Sequence, residues 1–324
     1  MPKVTVLIAV YNAEQWLPQC LDSLLSQTMA DFQAICVDDA STDGSLAVLN
    51  DYHQRDARFE VVHLDENSGQ AHARNVALKL AKGEFVSFLD ADDWYAPDTL
   101  QLMVEAFDEQ TDCVLFNVAM RYDDHEERYP MHHFEVMNGH DAFRLSLTWQ
   151  IHGIYGVRTA LHMRYPYDET CRSYSDDNTT RIHYLCSRYV KCCSGIYYYR
   201  QHPDSATHKV SVRRFDYLRA NESMRWQLLE QKVSAKILAL YENRRWLNLI
   251  DVYMFYHVHG RQLSEEERHF GLQELYRIWA TIDRKALTKE TIAKFGYRPC
   301  RSWRLFRIQE WIYFTLRGMM GKNR

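Results

Sequence analysis

The segment Phe85-Val86-Ser87-Phe88-Leu89 runs directly into Asp90-Ala91-Asp92-Asp93, so an almost wholly apolar stretch ends on three carboxylates. An apolar run of this length reads as a buried strand that delivers its charges at its C-terminal end. Three acids in four positions repel one another unless a cation lies between them. Residues two apart on an extended chain point the same way, so Asp90 and Asp92 can face one Mg²⁺ or Mn²⁺, with ligand positions left for a phosphate-bearing substrate. The competing reading is an acidic turn leading into a helix opened by Pro97-Asp98. On this segment alone the two stand level.

The chain has 324 residues, 46% hydrophobic and 25% charged, enough for one large domain or two moderate ones with a sizeable core. A net charge of −4 argues against a general nucleic-acid binder. The eight cysteines form no CxxC pair and several lie in apolar runs, the pattern of reduced core residues rather than a disulfide frame or zinc site. Met1-Pro2-Lys3 opens straight into a seven-residue apolar run, too short for a signal peptide, and no run approaches a membrane span. The expectation is a cytoplasmic protein, with contact to the inner face of the cytoplasmic membrane left open.

Strand-like patterns at 4–10, 32–37, 60–64 and 84–89 alternate with helix-like ones at 14–26, 45–55, 70–81 and 98–109. That rhythm predicts an α/β fold, a mainly parallel sheet flanked by helices, with ligands beyond the C-terminal strand ends. Polar clusters fall at those ends: Tyr11-Asn12-Ala13-Glu14; Asp38 to Ser45; Asn67-Ser68-Gly69 ahead of a helix with His72, Arg74 and Asn75; and Asp90-Ala91-Asp92. Each alone reads as cap or turn chemistry, with Asp43 or Ser45 as an N-cap. Four converging on one sheet edge favour a ligand site.

In this order, and with Val37-Asp38-Asp39-Ala40-Ser41-Thr42-Asp43, Ala73-Arg74-Asn75, Gly83-Glu84-Phe85 and Pro97, the residues resemble glycosyltransferase family 2. The resemblance is close over about the first 120 residues and looser to about 208. It implies the GT-A fold and sugar transfer from a nucleotide donor. Carried over residue by residue, it implies that Tyr11 stacks on the base and that Asp39 accepts from the uracil imide, a donor that cytosine lacks. Asp90 would lie near the ribose and metal, and Asp92 would coordinate the Mn²⁺ or Mg²⁺ that bridges the diphosphate. Arg74 would hold a phosphate or order the base-side loop, with a helix-surface salt bridge as the equal alternative. Ala9 departs from the family's frequent proline.

Inverting transfer needs a base for the acceptor hydroxyl. The segment from Tyr167-Asp168-Glu169 to Asn178 resembles the family's acid pair at a helix start, which puts the base at Asp177 with Asp176 as its orienting neighbour. The family's Glu is Asp176 here, so the choice between the two stays open, and helix N-capping is the structural alternative. Tyr197-Tyr198-Tyr199-Arg200-Gln201-His202-Pro203-Asp204-Ser205 resembles a loop that closes over the diphosphate. His202 would be a metal or phosphate ligand, Arg200 a phosphate partner and Ser205 a donor to phosphate oxygens. The tyrosine run reads as a strand end with alternate rings in the core. Residues 121–130 read as an exposed hairpin, and His152 and Trp149 as candidate sugar contacts against core packing.

Beyond 210 the pattern turns helical, at 215–230, 236–257, 264–281 and 289–295. This predicts a catalytic domain over 1–210, its nucleotide half reaching about 120, and a helical C-terminal region over 211–324. Residues 297–324 hold seven Lys or Arg against one acid, Glu310, interleaved with Trp303, Phe306, Trp311, Tyr313 and Phe314. Apolar and basic residues do not separate onto two helix faces, so an anionic membrane surface and a homo-oligomer or docking contact both stand. The reading is a metal-dependent inverting glycosyltransferase moving a hexose or N-acetylhexosamine from a UDP-sugar to a saccharide or lipid-linked saccharide in surface polysaccharide synthesis, with no nucleic-acid partner. A sugar nucleotidyltransferase would carry a glycine-rich basic loop after strand one, and a dehydrogenase a G-x-G-x-x-G; neither is present. A nucleotide-sugar-binding scaffold without transferase activity is the non-enzymatic alternative.

Overall fold

The computed structural model describes residues 1–131, 134–202 and 210–322. They divide into two compact units. The first takes Met1–Glu169 and the chain from Thr179 to the end of the last strand; the second takes Thr170–Asn178 and the C-terminal helices.

In the first unit β1 (Val4–Val10), α1 (Leu17–Leu25), β2 (Phe32–Asp38), α2 (Ser45–Arg55), β3 (Phe59–His63), α3 (Gln70–Lys79) and β4 (Phe85–Phe88) follow in turn. Then come β5 (Trp94–Tyr95), α4 (Thr99–Ala106), β6 (Thr111–Arg121), β7 (Glu126–Arg128), β8 (Val136–Asn138) and α5 (Gly139–Ser146). β9 (Tyr155–Arg158), α6 (Thr159–Arg164), α7 (Asp176–Cys186, its first three residues counted with the second unit) and β10 (Tyr189–Arg200) complete the sheet order β3-β2-β1-β4-β9-β6-β10-β5, with β7 on β6 and β8 on β10. The first four of these are mutually parallel, and β9 runs antiparallel between β4 and β6.

β1 is buried almost throughout because helices cover both faces, which is why it reads as a continuous apolar run. Its one polar residue, Thr5, is satisfied: Oγ1 donates to Gln33 Oε1 at 2.9 Å and accepts from Gly83 N at 2.9 Å. Gly83 lies so close that a Cβ there would sit 2.6 Å from the Thr5 nitrogen. The order β2-β1-β4 makes the gap between β1 and β4 the point where strand order reverses, and the crevice beyond it is where open α/β sheets bind ligands. Residues 121–130 form the expected hairpin through β7, and Tyr197 sends its ring into the core.

In the second unit α8 (Asp216–Glu230), α9 (Ala235–His259), α10 (Glu265–Thr281) and α11 (Trp303–Met319) pack around Trp246, Leu249, Tyr253, Ile278, Phe306 and Phe314. Ser264 and Glu267 close a capping box on α10. The helix expected over 289–295 is instead a run of turns ending in a short 3-10 segment, Phe295–Tyr297. Asn243 of α9 holds this stretch from the side, accepting from Thr288 N and donating to Ala286 O, each at 2.8 Å, and this tertiary pinning overrides local propensity. Residues 170–178 belong here because Cys171 Sγ reaches Asp216 O and Asn178 Nδ2 donates to Ala220 O at 2.7 Å. No helix among the described residues is long and apolar enough to cross a membrane.

Glu310 of α11 is fully buried beside Phe306 and Phe314. Only its Oε1 has a partner among the described residues, Gln309 Nε2 at 3.2 Å. Burial pushes its carboxyl up to about 8. The folded state therefore holds this proton more tightly than the unfolded chain, and stability present in acid is lost as pH rises from the ordinary carboxylate range through about 8. Glu310→Gln should raise the unfolding free energy at pH 9 by about 2–4 kcal/mol and narrow that gain towards pH 5, read from denaturant titrations at both pH values. Equal gains at the two would refute a buried, neutral Glu310.

Candidate active site

The loops after β1 and β2 are laced together. Asn12 takes a left-handed conformation, φ 50°, which an Asn tolerates, and its Oδ1 accepts from Thr42 N at 2.7 Å. Asn12 N and Ala13 N donate to Ser41 Oγ and Ser45 Oγ, while Glu14 Oε2 accepts from Gly44 N at 2.8 Å. The N-cap position of α2 is Gly44; Ser45 Oγ serves this lacing, while Asp43 accepts from Glu14 N on Oδ2 and from the first-turn amide Ser45 N on Oδ1 at 3.0 Å. The lacing presents Tyr11, 52% exposed, beyond the end of β1.

Asp39 is buried and accepts from Ser68 N and Gly69 N, one on each oxygen, both at 2.8 Å. Gly69, φ 96°, lets that turn offer two successive amides to one carboxylate. Each Asp39 oxygen keeps a second lone pair for another donor.

The acidic turn is held from three directions. Asp90 pairs with the Arg74 guanidinium and accepts from Gln70 Nε2 at 3.0 Å, Gln70 and Arg74 being one turn apart on α3. Arg74 is not a helix-surface residue. It is buried, with its guanidinium 4.2 Å from the centre of the Phe88 ring. Asp93 is also buried. Its Oδ2 accepts from Tyr197 OH at 2.6 Å and its Oδ1 from Arg200 N at 2.8 Å. Burial, reinforced by the charges of Asp92 and Asp90, pushes its carboxyl well above the usual range. Arg200, expected at a phosphate, instead lies between Trp16 and Trp94, 4.5 and 4.6 Å from the ring centres. Its Nε donates to Asp92 O at 2.8 Å and Nη2 to Gln19.

Asp92 has no guanidinium partner among the described residues, and its side chain is 35% exposed against 30% for Asp90. Asp92 Oδ2 lies 3.0 Å from His202 Nε2, and the His202 ring packs on Trp16 at 5.3 Å. His202 Nδ1 is buried without a partner among the described residues. No three His, Cys, Asp or Glu side chains among those residues form a ready-made metal centre. The protein offers a carboxylate and an imidazole side by side, a donor set that fits a divalent cation completing its shell with phosphate and water.

Asp176 and Asp177 form the first turn of α7, where the helix dipole favours acids, and belong to the second unit. Ser205 lies outside the described residues. His152 is not a sugar contact. It is buried, donates from Nε2 to Phe116 O at 3.1 Å and accepts Ile154 N on Nδ1, and burial lowers its pKa to about 4. Trp149 is exposed, with the Arg181 guanidinium 5.4 Å from its ring. The sequence reading missed Trp16, Gln19, Gln70 and Trp94, whose roles need contacts with residues distant in sequence and leave no local signature.

The profile of the family described as "Glycosyl transferase family 2" matches residues 5–167. EpsH of Bacillus subtilis is 41% identical over 123 residues, 38% of this chain and 36% of EpsH. The poly(ribitol-phosphate) beta-glucosyltransferase of Bacillus spizizenii is 46% identical over 101 residues, 30% of this chain and 16% of that protein. The chain thus matches well under two thirds of the length of these relatives. The crystal structure of S. aureus TarS 1–349 in complex with UDP-GlcNAc superposes with a TM-score of 0.75 at 21% identity, covering 99% of this chain and 92% of that one, and shows the same fold.

If Arg200 sets the acidic turn, Arg200→Lys should lower unfolding free energy by about 1–3 kcal/mol, because an ammonium cannot fill the slot between two indoles while donating to Asp92 O and Gln19. A urea midpoint unchanged from wild type would rule this clamp out.

Proposed function

Because this chain belongs to glycosyltransferase family 2, we propose that it is a metal-dependent inverting glycosyltransferase that moves a hexose or N-acetylhexosamine from a UDP-sugar to a saccharide or lipid-linked saccharide in surface polysaccharide synthesis. The observation that carries this reading is Asp92 beside His202, on a turn otherwise locked in place, at the strand-order reversal of the sheet. In this reading Tyr11 stacks on the uracil and Asp39 accepts its imide through the free lone pairs of a carboxylate already fixed by Ser68 and Gly69. Asp90, oriented by Arg74 and Gln70, receives the ribose. Asp92 and His202 would hold Mn²⁺ or Mg²⁺, which when bound offsets the charge of the departing diphosphate. Arg200 acts through the turn it positions, and Ser205 is proposed as a phosphate donor. Asp177 takes the proton from the acceptor hydroxyl as that oxygen displaces the nucleotide at the anomeric carbon, and Asp176 orients the sugar. The donor choice also draws on the bound nucleotide of TarS.

The test is a panel of UDP- and GDP-sugars with Mn²⁺, scored by thermal shift and by UDP release with mixed saccharide acceptors. UDP-sugars alone should raise the melting temperature in a metal-dependent way. Asp92→Ala should abolish that shift. Asp177→Asn should keep it and cut UDP release by about 10²–10⁴-fold. A stronger response to GDP-sugars would overturn the donor assignment, and wild-type turnover in Asp177→Asn would remove it as base.

A further inference from the structure

α11 is apolar on two sides. Phe306 and Phe314 pack into the helical unit, while Leu305, Ile308, Ile312, Leu316 and Met319 recur three or four residues apart on the opposite side, all exposed. Met319 is 79% exposed and the neighbouring Trp311 59%. The sequence pattern appeared mixed because these two apolar arcs overlap in register. Soluble monomers seldom leave so continuous an apolar strip uncovered.

Beside the strip lies a groove of about 940 Å³ between α11 and the α9–α10 connection, lined by Tyr253, His257, Arg261, Arg268, Arg304, Arg307, Ile308 and Trp311 among others. Ile308 and Trp311 belong to both, so strip and groove are continuous. None of the four arginines forms an ion pair among the described residues. Other arginines of the helical unit do: Arg214 with Asp251, Arg219 and Arg277 with Glu274, Arg225 and Arg245 with Glu242. Glu267, one residue from Arg268, is taken up by its bonds with Ser264. Four guanidiniums left unpaired in one groove mark an anion-facing surface.

A second copy of the chain fits poorly, because a two-fold contact through this face would set like charges against each other. A free anion would use the arginines but leave the strip uncovered. A bilayer with anionic headgroups matches both parts, phosphates to the guanidiniums and acyl boundary to the strip, with Trp311 at the level between them. α11 has 17 residues and is not apolar enough to span, which leaves it lying along the interface. We propose that the outer face of α11, with Arg261, Arg268, Arg304 and Arg307, is a docking surface for an anionic lipid bilayer. This surface is independent of the sugar chemistry proposed above, and its test reads no catalysis.

The full chain is floated with vesicles of phosphatidylcholine alone or with about 30% phosphatidylglycerol. Binding should require the anionic lipid and weaken at about 0.5 M salt. Replacing the four arginines by Gln should lower vesicle affinity by about 100-fold or more. The surface variant Leu305→Ser/Ile308→Ser/Leu316→Ser should lower it at least about tenfold with little change in melting temperature, since each of those side chains is more than half exposed. Tryptophan fluorescence should shift to the blue on binding, and Trp311→Phe should remove most of that shift. Lack of anionic-vesicle binding by the wild type would overturn the proposal. So would wild-type binding by both variants, competition by millimolar inorganic phosphate, or a shift from dimer to monomer in the Ser variant with vesicle binding intact.

Discussion

The buried carboxylate of Asp93 is the contact on which the donor-side half of the candidate site depends. It belongs to the turn after β4, yet both its partners, the Tyr197 hydroxyl and the Arg200 amide, come from β10. In the sheet β9 and β6 stand between β4 and β10, and Asp93 acts beside the pairing of β5 with Tyr197 and Tyr198 of β10, fastening the turn where β4 hands over to β5. An unpaired buried carboxylate is costly, and satisfying it leaves the turn with one conformation. Tyr197 reinforces this by accepting Asp90 N at 3.2 Å, and Arg200 by donating to Asp92 O. With both ends of the four-residue turn fixed, the direction of the Asp92 side chain follows.

The same contacts resolve the charge problem posed by the three acids. Asp90 is offset by Arg74, and Asp93 is withdrawn from water with its pKa raised. Repulsion that would have spread over three carboxylates is concentrated on Asp92, where the neighbouring imidazole of His202 and an incoming cation can answer it. A cation centre made by one carboxylate and one imidazole is incomplete without substrate oxygens. On the proposed reading, metal and nucleotide diphosphate would bind as a unit.

The parallel half of the fold was legible because buried strands and amphipathic helices carry their periods in the sequence, and because the polar clusters fell at the strand ends. The candidate site was legible by residue but not by task. Asp39 was read as a base contact and Arg74 as a phosphate or loop-ordering residue against a salt bridge; both spend hydrogen bonds on the protein itself, Asp39 on the turn at Ser68 and Gly69, Arg74 in an ion pair with Asp90, buried and not on the helix surface. No spacing rule separates a carboxylate that stabilises a loop from one that meets a base, since the same acceptor geometry serves either. His152 was read as a candidate sugar contact and is instead buried, its two ring nitrogens taken up by Phe116 O and Ile154 N. The Trp16–Arg200–Trp94 stack joins three distant segments, which only the assembled sheet brings into register.

The helical unit shows the opposite failure. Its packing needs only one side of α11, with Phe306 and Phe314 meeting Trp246 and Tyr253. The outer strip adds nothing to that core and carries an aggregation hazard. Glu310 compounds the oddity: an acid lies within the buried arc, one turn from Phe306 and one from Phe314, so a sequence count sees a polar face where the structure has an interior. A helix under selection for folding alone would place the acid outside and the leucines within. The arrangement found here reverses that at several positions, which the proposed bilayer contact would account for.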